Sequence, residues 1–175
     1  KGLVDFKKDI AGTLQNVDSL KDAEAHKTKE ELKAWEIAAD ALILHAERHA
    51  KLARKLTRRE RDAKRREELE RIASVCAHVP AHAPRDFWEA LQYYWFVHIG
   101  VVTELNPWDA FNPGRLDQHL YPFYEKGLKD GTLTMEEAKE LLEAFWIKFN
   151  NQPAPPKVGV TAEESCTYTD FALIN

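Results

Sequence analysis

The sequence predicts a mainly α-helical chain, and three observations carry that expectation. Thr28 with Glu31, Asp86 with Glu89, and Thr134 with Glu137 each match a helix-opening capping box, in which a short oxygen-bearing side chain is followed three residues later by a glutamate. Apolar residues recur three and four apart over long stretches, the period that lines one face of a helix. Between Phe87 and Leu105 nearly every position is apolar, as in a helix buried on all sides.

Taken in order, residues 3–17 read as a short amphipathic helix, with Val4, Ile10 and Leu14 apolar among lysines and aspartates. Residues 18–27 read as a polar connection. From Thr28 to residue 56 a long helix carries Leu32, Trp35, Ala39, Leu42, Ala46, His49, Ala53 and Leu56 on one face. Three alanines and a histidine make that stripe too weak for a free-standing coiled coil, so packing on a parent core is expected. Residues 57–71 interleave basic and acidic side chains at i,i+3 and i,i+4 spacing, the pattern of a solvated helix. A nucleic-acid surface would call for a basic excess with aromatics, and this run has no aromatic. A helix restarts near Ala63 and ends at Val79, before Pro80, with Leu69, Ile72, Ala73 and Cys76 on one face.

Pro80 to Pro84 forms a stiff connection, and Asp86 opens the apolar helix. The loop Asn106-Pro-Trp-Asp-Ala-Phe-Asn-Pro-Gly-Arg115 follows. Its prolines stiffen the backbone and its aromatics favour burial. Loops of this kind on a rigid scaffold often carry substrate contacts. A helix is expected over 116–129, a turn at Asp130-Gly131, and a helix over 134–150 bearing Ala138, Leu141, Leu142, Phe145, Trp146 and Phe149. Asn150 to Pro156 ends it. Val158–Val160 and Tyr168–Ile174 read as short strands. No internal repeat is visible. The apolar perimeter of 87–105 and the strand-like run at the end of the chain predict an internal segment of a longer polypeptide, with that helix heavily exposed when the segment stands alone.

With 25 basic and 29 acidic residues and a net charge of -4, bulk charge favours neither nucleic acid nor membrane as a partner. The longest uncharged apolar stretch, Ala90 to Thr103, has 14 residues, short of the roughly 18–20 needed to span a bilayer. Two cysteines, Cys76 and Cys166, do not make a disulfide scaffold, and a reducing cytoplasm fits them better.

Several residue groups invite a chemical role. His45 and His49 share a helix face at i,i+4, but Glu47 stands about 200° round the helix from His45, unlike the glutamate of a zinc-hydrolase His-Glu-x-x-His motif. Helix packing explains the pair. Glu104, Asp109, Asp117, His119 and Asp170 match no ligand spacing, so no metal is expected, and capping and loop-bracing account for Asp109 and Asp117. Cys166 has no identifiable base beside it and reads as a packed thiol. Trp108, Asp109 and Phe111 are the strongest candidates. In a stiff loop they are suited to walling off a small substrate from water.

Four stretches, read together, carry a family resemblance: Pro84-Arg-Asp-Phe-Trp-Glu-Ala-Leu-Gln92, Glu104 through Arg115, Asp117-Gln-His-Leu-Tyr-Pro-Phe-Tyr124, and Asn150-Asn-Gln-Pro-Ala-Pro-Pro-Lys-Val-Gly159. The chain resembles the glycyl radical enzymes of the pyruvate formate-lyase family. It is most similar to the branch of isethionate sulfite-lyase, hydroxyproline dehydratase and arylacetate decarboxylases. The resemblance implies helices and one or two strands of a ten-stranded α/β barrel, with outer helices in 1–83 and barrel helices, pocket loop and first strand-like segments in 84–175. It implies an anaerobic, oxygen-sensitive, cytoplasmic homodimeric lyase that cleaves a C–S, C–C or C–O bond of a small substrate. A separate activating enzyme, using S-adenosylmethionine and an iron–sulfur cluster, would install the glycyl radical. The radical glycine and the catalytic cysteine loop would lie outside this segment, which then contains no catalytic residue of its own and is inert alone. By position, Trp108, Asp109 and Phe111 match the family's substrate-lining loop, and Arg115 and Asp117 match positions that hold it. A non-catalytic helical interaction module is the alternative.

Overall fold

The computed structural model describes residues 1–17, 24–104 and 114–151. Six helices occupy them: α1 (Leu3–Asn16), α2 (Ala25–Thr57), α3 (Ala63–His78), α4 (Phe87–Glu104), α5 (Leu116–Asp130) and α6 (Met135–Asn151). Among the described residues there is no strand, and the two strand-like runs of the sequence lie outside them. The chain divides into two compact units, Lys1–Pro84 and Arg85–Asn175.

In the first unit, α2 packs against both α1 and α3. Leu32, Ala39, Ala46 and Ala53 are buried, as the periodic stripe requires, and Ala50 joins them. Small side chains on this face let the neighbouring helices approach closely. The other line of the expected stripe is not buried: Trp35 is 60% exposed, Leu56 45%, and His49 is exposed. The packed face is centred between positions 46 and 50 rather than between 46 and 49, since Ala50 is buried and His49 is not. The start of α2 also differs from the expected Thr28. The amide of Thr28 already donates to the Glu24 carbonyl at 2.9 Å, so the helix is closed from Ala25, which is buried. Thr28 and Glu31 are therefore interior, and no side chain caps this end.

The first two amides of α1, at Leu3 and Val4, donate to the Pro80 and Ala81 carbonyls, both at 2.9 Å. These are N-terminal donors that no helix can satisfy internally. The Gly2 amide donates to the Asp5 carboxylate at 3.0 Å. Only a glycine permits this approach, since a Cβ at position 2 would run into the Ala81 carbonyl oxygen and the His82 backbone. Residues 80–82 thus close the unit on its own first helix. The turn at 58–62 is held by the Glu60 carboxylate, which accepts from the Arg61 and Asp62 amides, and by Asp62, which caps α3 by accepting from the Arg65 amide at 2.7 Å.

In the second unit, Phe87, Ala90, Leu91 and Trp95 of α4 form one core with Leu116 and Leu120 of α5 and Ala138 and Phe145 of α6. Every described side chain of α4 except Thr103 is buried or half-buried. The heavy exposure expected from its apolar perimeter is not found among the described residues, and α5 and α6 cover the side that carries this core. Gly131 ends α5 in the left-handed region at φ 69°, and Thr134 then opens α6. Here the capping box is complete. The Glu137 amide donates to the Thr134 hydroxyl at 3.1 Å, and the Glu137 carboxylate accepts from the Thr134 amide at 2.8 Å.

Two outcomes follow for stability. Gly2→Ala forces the first unit open at residues 80–82 and costs about 1–3 kcal/mol, read as a lowered denaturant midpoint with an unchanged slope. The Thr134 amide and hydroxyl hold the Glu137 carboxyl below its ordinary value of 4.5. A depressed acid stabilises the fold above its unfolded value, and that contribution disappears as pH falls through the folded one. Unfolding midpoints of the second unit should therefore drop as pH falls below the ordinary glutamate range. Glu137→Gln should flatten that part of the profile.

Candidate functional site

The site expected from the sequence is the connection between α4 and α5. Trp108, Asp109 and Phe111 lie outside the described residues, as do Cys166, Asp170 and the side chain of Glu104. What the structure describes is the frame from which the connection springs.

The upstream half of that frame is α4. Its N-terminus is built by a local network. Asp86 accepts from the Glu89 amide at 2.9 Å, as the sequence pattern predicts. The Glu89 carboxylate, however, reaches one residue further back than a standard box. It accepts from the Arg85 amide at 2.8 Å and from the Arg85 guanidinium through Nε at 3.1 Å and a terminal nitrogen. Glu89 is fully buried, while the Arg85 side chain is 59% exposed. The pair lifts the Arg85 guanidinium above its ordinary value, chiefly through this hydrogen bond. A buried carboxylate at a helix N-terminus also meets the positive end of the helix dipole.

Further along α4 an aromatic and histidine cluster forms. The Tyr94 hydroxyl and His98 Nδ1 are 3.3 Å apart, one turn from each other. The His98 ring stacks on Trp95 with centroids 5.5 Å apart. Phe145 of α6 meets Tyr94 and Trp95 edge-on, at 5.7 and 6.4 Å, and Lys148 Nζ stands 4.9 Å from the Trp95 ring centroid. His98 is 1% exposed. The sequence reading missed it. The signal was present, as one histidine four residues after a tyrosine in an otherwise apolar helix.

The downstream half is the start of α5. Gly114 takes φ 71°, a left-handed conformation that favours glycine. Its carbonyl accepts from the Leu116 amide at 2.9 Å. Arg115 and Asp117 pair in bidentate fashion, at 3.2 and 3.0 Å, with both side chains exposed. The guanidinium pulls the Asp117 carboxyl below its ordinary range and is itself raised. The Arg115 carbonyl accepts from the Gln118 and His119 amides, both at 3.0 Å. Leu116 and Leu120 anchor this turn in the core. On α2, His49 Nδ1 contacts the His45 carbonyl at 3.0 Å, and burial, His49 and Arg48 push the His45 imidazole down. Among the described residues no three His, Cys, Asp or Glu side chains converge as a metal site would require. No described helix is long and apolar enough to cross a membrane.

The family profile described as pyruvate formate lyase-like matches residues 1–175. The chain belongs to that family. It is 54% identical over 175 residues to trans-4-hydroxy-L-proline dehydratase of Clostridioides difficile, a match covering all of this chain and 22% of that protein. It is 37% identical over 147 residues to isethionate sulfite-lyase of Nitratidesulfovibrio vulgaris, covering 84% of this chain and 18% of that one. The crystal structure of the Clostridioides difficile hydroxyproline dehydratase with trans-4-hydroxy-L-proline bound superposes with a TM-score of 0.91, covering 99% of this chain and 22% of that one. The chain thus spans about a fifth of the length of the relatives it matches. The mainly helical architecture is that of the corresponding part of a pyruvate formate lyase-like protein.

The Arg85–Glu89 network has a measurable consequence within this family member. Glu89→Gln keeps the shape but removes the charge that the guanidinium and the Arg85 amide address. It should cost about 1.5–3 kcal/mol, the range for hydrogen bonds to charged groups. Arg85→Met should recover part of that loss in the double variant, as read in a double-mutant cycle of denaturant midpoints.

Proposed function

We propose that the full-length protein is a glycyl radical dehydratase that breaks a C–O bond in a small hydroxylated substrate of the hydroxyproline type. The observation that carries this is the 54% identity and TM-score of 0.91 to a hydroxyproline dehydratase, against 37% identity to a sulfite-lyase of the same family. In such an enzyme a separate activating enzyme with S-adenosylmethionine and an iron–sulfur cluster forms the glycyl radical, and a thiyl radical takes hydrogen from the substrate. These groups belong to parts of the protein outside the present chain. Anaerobic, cytoplasmic action as a homodimer accompanies this reading.

The contribution of this chain is a wall. Residues 1–83 supply outer helices, and 84–175 supply barrel helices, the pocket loop and the first strand-like segments. Trp108, Asp109 and Phe111 line the substrate pocket, with Trp108 and Phe111 excluding water and Asp109 offering a carboxylate to a polar substrate. Arg115 and Asp117 hold the downstream end of the loop through their bidentate pair. Pro107 and Pro113 limit the freedom that the loop loses on binding.

Trp108→Ala in the full-length enzyme should enlarge the pocket and lower turnover by roughly tenfold or more, the effect of losing a positioning contact. The glycyl doublet in electron paramagnetic resonance should keep its yield, because the radical site is elsewhere. Unchanged turnover would make Trp108 ordinary loop packing. A full-length protein that never develops a glycyl doublet with its activating enzyme would overturn the radical mechanism itself.

A further inference from the structure

We draw no further inference here: the strongest candidate, the side-chain cluster of Tyr94, Trp95 and His98 on α4, belongs to the frame of the candidate site already described and shows, among the described residues, only the packing of α4 against α6.

Discussion

A helix that is apolar nearly all round must be enclosed, and α4 imposes that requirement on the second unit. Burying Phe87, Leu91 and Trp95 gains roughly 1.5–3 kcal/mol each. The same enclosure makes any polar atom on α4 costly unless it is paired. Among the described residues, both buried polar side chains on this helix are paired. Glu89 takes up the Arg85 amide and guanidinium, and His98 is seated between Tyr94 and Trp95. The positions of α5 and α6 follow from this, because Leu116, Leu120, Ala138 and Phe145 pack against what α4 presents.

The first unit solves a different problem. Its face of small residues gives little area per contact, so helix ends matter more. The open amides of α1 are closed by carbonyls of residues 80 and 81 rather than by a side-chain cap. That solution ties the first helix of the unit to its last residues and restricts position 2 to glycine.

Much of this was legible in the residues. The cap of α4 by Asp86 and the complete box of α6 came from three-residue spacings that the structure reproduces atom by atom. The boundaries of α3 and α5 followed from Ala63, Pro80 and Gly131. The start of α2 did not, because it uses a backbone turn at Glu24 with no side-chain signature. Nor did the phase of its stripe. Leu32, Ala39, Ala46 and Ala53 lie on a line of sevens that is buried, while Trp35, His49 and Leu56 lie on a parallel line that is not. Three-and-four spacing cannot say which of two neighbouring lines completes the face, and Ala50 is the residue that does. At the start of α5, Arg115 pairs with Asp117 and Leu116 is buried. The burial of His98 was not legible, because it depends on what encloses α4 and not on local spacing.

The pyruvate formate lyase-like relatives give these local facts a common setting. A segment spanning about a fifth of such proteins still carries well-formed caps, a buried helix and a core of its own. These features have a local basis. Capping networks act over three or four residues, and the core of the second unit is supplied by helices that follow one another closely in sequence. Leu116 and Leu120, which follow the 106–115 connection, share one core with Trp95 of α4, so the described residues flanking it are fixed by packing with one another.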